Sequence, residues 1–233
     1  MPRTTVGGKG HSLLRMAAVG LPVPPGVILP TAFCAPWLET ITEHPAWTQL
    51  LNADLDDWPT FCDRLKVHCQ NLPLTRTQHD VLQRLRDDLT MRCGNDVRVA
   101  VRSSSPEEDL ASASFAGGYE TCLGVPLDDL EDAIRHCCAS SLDARVLVYK
   151  AEHGFDDLTP QLAVAVQQQI ASDVSGVGFS LNPVTNDYDE AVINASWGLG
   201  SSVVDGRVSP DHIVVDKVDR RIVEARVGQK SVS

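Results

Sequence analysis

The stretch that most constrains the fold is DVRVAVRSSSPEEDLASASFAGGYETCLGV, residues 96–125. It opens as a strand by alternation: Val97, Val99 and Val101 point one way, and Arg98, Ala100 and Arg102 the other. A run of small polar residues and acids follows, from Ser103 to Asp109. Ser114-Phe115-Ala116-Gly117-Gly118 then leads into a second strand-like piece, Tyr119 to Val125. An arginine at a strand end beside a small-residue loop suits phosphate. Small side chains let backbone N–H groups approach the oxygens, and the guanidinium supplies a planar fork of donors. An ordinary hairpin with a small-residue tip is the alternative, because glycine pairs are common in turns.

The rest of the chain must supply the core and any second wall of such a site. With 233 residues, 43% of them hydrophobic, the chain can bury one large or two modest domains. Aromatics make up only 5%, so that core is mostly aliphatic. A net charge of −11 argues against nucleic acid or an anionic membrane as the main partner, yet it is compatible with a local cationic pocket. No apolar run approaches the ~20 residues that span a bilayer. The opening MPRTTVGGKG is too polar and glycine-rich for a secretory signal. Seven cysteines are odd in number and scattered, with no C-x-x-C pair. They indicate no metal site and no disulfide framework. The expected setting is a reducing cytoplasm in which most of them are small buried hydrophobes.

Taken in order, Val6-Gly7-Gly8-Lys9-Gly10 precedes a helical pattern with Leu13, Leu14, Ala17 and Ala18 on one stripe, ending at Gly20. A glycine loop ahead of a helix suits an anion and Lys9 adds a point charge, although GGKG is not a Walker loop and serves equally as plain helix capping. Val27-Ile28-Leu29 reads as a short strand. Thr31 is expected to cap a helix carrying Phe33, Trp37, Leu38 and Ile41, and Thr60 one covering Phe61 to Asn71. Thr75-Arg76-Thr77-Gln78 fits a capping box before Val81, Leu82, Leu85 and Leu89. Trp37, Trp47 and Trp58 read as packing anchors. Further helices are expected over residues 128–137 and 142–153. Strands are expected at 162–166, 176–181 and 190–195, with an antiparallel pair at 213–216 and 221–224. Gln167-Gln168-Gln169 closes the first of these strands, facing either a ligand or water.

Five blocks in this order, GGKGHSL, GLPVPPGVILPTAF, VAVRSSSPEEDLASASFAGGYETCLGV, AVAVQQQIASDVSGVGFSLNPVT and INASWGLGSSVVDGRVSPDHIVVDK, cover nearly the whole chain. Together they resemble the ATP-binding domain of the phosphoenolpyruvate synthase and pyruvate phosphate dikinase family, which rifampicin phosphotransferases share. The resemblance implies an α+β, ATP-grasp-like nucleotide-binding domain of two lobes. The N-terminal lobe would be residues 1–160, and residues 161–233 a second lobe truncated at its C-terminus. It implies that Lys9 and Arg102 contact the ATP phosphates as catalytic cations. Gly117 and Thr121 belong to the loop folding over those phosphates, and Gln167 lies near the nucleotide. Arg207 is assigned either to the ligand or to a structural ion pair.

Departures from the family pattern qualify this. The later glutamate and the Q-x-R-P ending, which resemble metal and ATP ligands, would lie beyond Lys230. The Mg²⁺ expected with ATP therefore has no ligands in this chain. Ser105-Pro106 replaces the usual Ala-Thr, and Gly118 a common glutamine. None of the seven histidines sits in a T-S-H-like context. Glu107, Glu108 and Asp109 are expected to cap a helix N-terminus and not to bind metal. The expected function is thus the ATP-holding part of an ATP-dependent phosphotransferase, its phosphohistidine and acceptor domains supplied in trans or by a longer parent chain. The alternatives are a catalytically incomplete nucleotide-binding or structural subunit, and a biosynthetic subunit that uses ATP on another acceptor.

Overall fold

The computed structural model describes residues 1–106, 109–110, 113–114, 120–153, 155 and 157–229. Contacts divide the chain into two compact units, Met1–Gln169 and Ile170–Ser233. Helices and strands mix in both, so the architecture is α+β.

In the first unit, α1 (Arg3–Ala18) precedes β1 (Gly26–Leu29). A helical layer follows: α2 (Thr31–Glu43), α3 (Pro45–Leu51), α4 (Trp58–Gln70) and α5 (Arg76–Cys93). Two helix starts differ from expectation. α2 begins directly after Pro30 with no side-chain cap, and the Thr31 hydroxyl donates to the Thr4 carbonyl at 3.4 Å. α4 begins at Trp58 with Pro59 in its first turn, two residues before Thr60. Proline is accommodated there because first-turn N–H groups have no intrahelical partner. The capping box on α5 is present. Gln78 N–H donates to the Thr75 hydroxyl at 3.2 Å, and Thr75 N–H donates to Gln78 Oε1 at 2.8 Å. The same Gln78 side chain donates through Nε2 to the Phe33 carbonyl at 2.8 Å, so this cap also fastens α5 to α2. The aliphatic and tryptophan positions singled out above meet as one core: Trp37, Trp47 and Trp58 are all buried, with Leu65, Leu82 and Leu89 fully so.

The sheet of this unit runs β1-β6-β2-β5, every pair antiparallel. Here β2 is Arg98–Ser104, β5 is Thr121–Pro126 and β6 is Ala163–Gln168. Strand period two divides its faces. Leu29, Val99, Val101, Val125, Val164 and Val166 point into the helical core, which α6 (Leu130–Ser140) joins through Leu130, Ile134, Cys137 and Cys138. Arg102, Thr121, Ala165 and Gln167 fall on the opposite face. Two short strands, β3 (Asp109–Leu110) and β4 (Ala113–Ser114), pair between β2 and β5. Asp109 is therefore strand and not helix cap, while Glu107 and Glu108 lie outside the described residues. α7 (Ala144–Glu152) starts at Asp143, whose carboxylate accepts from Arg145 N–H at 3.0 Å and from Lys66 Nζ of α4 at 2.9 Å.

The second unit is a sheet ordered β10-β9-β8-β7: β7 (Val174–Phe179), β8 (Glu190–Trp197), β9 (Asp211–Asp216) and β10 (Arg221–Arg226), with α8 (Ser201–Val204) between β8 and β9. The expected β9–β10 hairpin is present. Its turn is held by the Asp216 carboxylate, which accepts from the N–H groups of Val218 and Asp219 at 2.9 Å each. Among the described residues no helix is long and apolar enough to cross a membrane.

Thr75→Ala should cost about 1 kcal/mol of stability, and Leu82→Ala about 2–5 kcal/mol. Urea unfolding followed by tryptophan fluorescence reads both. The Asp143 carboxyl sits at about 2: burial raises it, but hydrogen bonds from Arg145 and Lys66 more than offset that. A carboxylate depressed in the fold adds stability that is complete above its unfolded value and lost as pH falls through its folded one. Asp143→Asn should therefore lower stability at neutral pH and flatten its decline between roughly pH 4 and pH 2 in urea titrations at stepped pH.

Candidate functional site

Three glycines in five residues, Gly7, Gly8 and Gly10, let α1 approach the end of β2 more closely than side chains would permit. The helix is interrupted at Gly7, where φ is 70° and ψ is 177°. A Cβ there would fall 2.0 Å from the Ser104 carbonyl oxygen. The interruption is pinned from the strand. The Ser104 hydroxyl donates to the Val6 carbonyl at 2.9 Å and accepts from Gly10 N–H at 3.0 Å. Gly8 N–H donates to the Ser105 carbonyl at 2.9 Å. Lys9, between these anchors, donates through Nζ to the Ser103 carbonyl at 3.1 Å. GGKG thus lies within an interrupted helix docked on the sheet, where a loop preceding a helix was expected.

The cross-strand register places the other candidates on the face that receives α1. Thr121, Arg102 and Ala165 are direct partners across β5, β2 and β6. Gln167 stands opposite Ala100 and Gly26, two positions along β6 from the row of Arg102. Such diagonal neighbours have Cβ atoms roughly 7–8 Å apart, within reach of long side chains and of one ligand. Gly26 matters to this packing, since a Cβ on it would lie 2.6 Å from the Val166 carbonyl. Ser103 fastens the far end: its N–H and hydroxyl both donate to the Glu120 carbonyl, at 3.2 and 2.7 Å, directly before Thr121. Lys9, Arg102, Thr121 and Gln167 therefore share one sheet face. Gly117 lies outside the described residues.

Gln167 is almost fully buried, and its Nε2 donates to the Pro24 carbonyl at 3.5 Å. It also lines a cavity of about 370 Å³ with Leu13, Leu14, Ala17, Ile28 and Arg92. The α1 stripe expected from Leu13, Leu14 and Ala17 thus borders an open cavity, with only Leu13 partly buried and Leu14, Ala17 and Ala18 exposed. The two following glutamines are structural. Gln168 N–H donates to the Pro25 carbonyl and Gln169 N–H to the Arg98 carbonyl, both at 2.8 Å, and the Gln169 side chain accepts from Gly124 N–H. Arg207, in the second unit, is exposed and pairs with Asp205 at 3.3 Å. The residues that sequence reasoning passed over are the serines. Ser103, Ser104 and Ser105 are completely buried, and buried hydroxyls need partners. Three of them closing a strand beside an arginine was the available signal.

With this geometry in view, residues 3–233 match the family model described as pyruvate phosphate dikinase, AMP/ATP-binding domain. The chain belongs to this family. The family model and the relatives make it the ATP-binding domain of phosphoenolpyruvate synthase-like and dikinase-like phosphotransferases. Relatives include phosphoenolpyruvate synthase of Pyrococcus furiosus, 36% identical over 97% of this chain and 32% of its own length. The probable phosphoenolpyruvate synthase of Methanothermobacter thermautotrophicus is 35% identical over 97% of this chain and 34% of its own. An uncharacterized phosphotransferase of Bacillus subtilis is 36% identical over 97% and 25%. The chain thus spans about a third or less of each of these relatives.

In this dikinase-family domain the glycine–serine dock is sensitive to single substitutions. Gly7→Ala meets both a positive φ and backbone atoms, and should cost about 2 kcal/mol or more. Ser104→Ala leaves the buried Gly10 N–H without its acceptor, for about 1–3 kcal/mol. Ser12→Ala, on the exposed side of α1, should stay within about 0.5 kcal/mol. Chemical denaturation of the three variants checks this order.

Proposed function

We propose that this chain is the ATP-holding part of a phosphotransferase of the phosphoenolpyruvate synthase kind. Lys9 and Arg102 meet the phosphates, Thr121 adds a hydroxyl donor, and Gln167 stands toward the nucleoside. The observation that carries this reading is the gathering of these four side chains, from α1, β2, β5 and β6, on one face of one sheet. Phosphoryl transfer asks a protein mainly for positioning and for cations where charge builds on the transferred oxygens. An ammonium and a planar guanidinium divide that work: one is a point charge and the other a two-pronged donor. The cavity beside Gln167 is lined mainly by aliphatic side chains, with Arg92 at its wall, and such walls suit a planar base. The phosphoryl acceptor would be a histidine on a domain outside these residues, as the greater length of the relatives suggests. The two compact units suit the two lobes of an ATP-grasp-like domain, and Gly117 belongs by sequence to the loop over the phosphates.

Magnesium is the ion expected with ATP in this family. Among the described residues no three histidine, cysteine or acidic side chains cluster as metal ligands. Mg²⁺ bound with ATP is held largely by phosphate oxygens and waters with one or two carboxylates, and no carboxylate stands among Lys9, Arg102, Thr121 and Gln167.

Calorimetric titration of the 233-residue chain with ATP, with and without Mg²⁺, tests the reading. Each charged hydrogen bond is worth about 1.5–3 kcal/mol, so Lys9→Ala and Arg102→Ala should each weaken binding about tenfold or more. No binding at millimolar ATP overturns the function. Undiminished affinity in both variants overturns the site.

A further inference from the structure

The core face of the same strands carries a pair of thiols that nucleotide binding does not use. Cys122 of β5 is the direct cross-strand partner of Val101, and it follows Thr121 in sequence. Its Sγ lies 4.0 Å from the Ala133 carbonyl, one turn before Cys137 on α6. The Cys137 Sγ lies 3.5 Å from the Val101 carbonyl and 3.8 Å from the Glu120 carbonyl. Both sulfurs thus occupy one small space between α6 and the β2–β5 pair.

We propose that Cys122 and Cys137 are an oxidisable pair whose disulfide, formed by a hydroperoxide, ties β5 to α6 and weakens nucleotide binding at Thr121 and Arg102. The regulatory half of this proposal rests on the ATP reading above.

The two cysteines are unequal in the way such chemistry needs. Cys122 is half-buried, whereas Cys137 is fully buried. Donation from the Cys137 thiol holds Cys122 below the ordinary thiol range. Burial opposes this, nearby His136 assists, and Glu120 opposes. Cys137, as the donor and buried, is pushed up. Cys122 is therefore the nucleophile and Cys137 the resolving thiol. The Cys122 thiolate attacks one peroxide oxygen. An S–O bond forms, the O–O bond breaks, and the leaving hydroxide takes up the proton that Cys122 released on ionising, giving the first water. The Cys137 sulfur then attacks the sulfenic sulfur. The S–S bond forms, the S–O bond breaks, and water departs with the Cys137 proton. Two thiols lose two electrons and hydrogen peroxide becomes two waters.

Burial pushes Cys62 and Cys69 each up to about 12, and Cys138, fully enclosed, also rises. Covalent closure of the Cys122–Cys137 gap draws β5 toward α6. Thr121 is the preceding residue on that strand, and its partner across the ladder is Arg102. The pull is therefore felt first on the nucleotide face.

The test treats the reduced 233-residue chain with hydrogen peroxide, blocks remaining thiols, and maps peptides without reduction. A single linked pair, Cys122 with Cys137, should appear, be reversed by dithiothreitol, and be missing from Cys122→Ser and Cys137→Ala. Calorimetry with ATP should show affinity roughly fivefold or more weaker in the oxidised wild type, and no such change in either variant after the same treatment. A wild-type map without that linked peptide overturns the proposal, whatever the variants do. A linked peptide with unchanged ATP affinity overturns its regulatory half. A reduced protein that binds no ATP overturns the ATP reading and the regulatory half with it, while the peptide map alone still decides whether the bond forms.

Discussion

The docking of α1 against the end of β2 is the contact on which the candidate site depends. Lys9 and Arg102 are 93 positions apart, and nothing local brings them together. The Ser104 hydroxyl does so by serving as donor to Val6 and acceptor to Gly10 at once, bridging the break that Gly7 introduces. A hydroxyl used in both directions and shut away from water is worth more than an exposed one, since losing either partner leaves a buried polar group unpaired. Position 7 must be glycine for a second, independent reason: the strand backbone occupies the space a Cβ would need. The cationic pair thus rests on small residues and backbone atoms, and so its geometry owes little to the long, rotamer-rich side chains it positions.

This explains how a protein of net charge −11 can present cations to an anion. The field at a site is set by what lies within a few ångströms, where screening is weak, and the distant excess of carboxylates is damped over a Debye length of about 8–10 Å. Several carboxylates that the structure resolves in ion pairs are occupied elsewhere. Asp143 holds Lys66, and Glu131 and Asp132 hold Arg135.

Much of this was legible in the sequence where a local rule governs. The capping box at Thr75, the alternation of β2 and the aliphatic stripes of α2 and α5 are short-range signals, and each reads directly onto the structure. The misread helix starts have one common cause. Thr31 and Thr60 are good capping residues, yet at both ends a proline had already fixed the chain's entry, after Pro30 in one case and at Pro59 in the other. A ring that locks φ decides a terminus before a hydroxyl is consulted. The break at Gly7 was illegible for a different reason. Its cause is Ser104, 97 residues away, and no window of local sequence contains both. The register that aligns Thr121, Arg102 and Gln167 is likewise a product of pairing between distant strands, and the motif order alone supplied it only by resemblance.

The alternation of β2 and β5 has a consequence that links core and site. In a strand, neighbours in sequence point to opposite faces. Val101 and Cys122 therefore belong to the core by the same geometry that places Arg102 and Thr121 on the opposite face of the sheet. A change of packing behind the sheet cannot shift the first pair without moving the backbone that carries the second. Protein interiors are too densely packed to absorb such a shift locally. The helix α6 is held against this region through Leu130, Ile134, Cys137 and Cys138, and is thus mechanically adjacent to the site although none of its side chains lies on that face. Any covalent or packing event between α6 and β5 acts on the candidate site's face through one peptide unit.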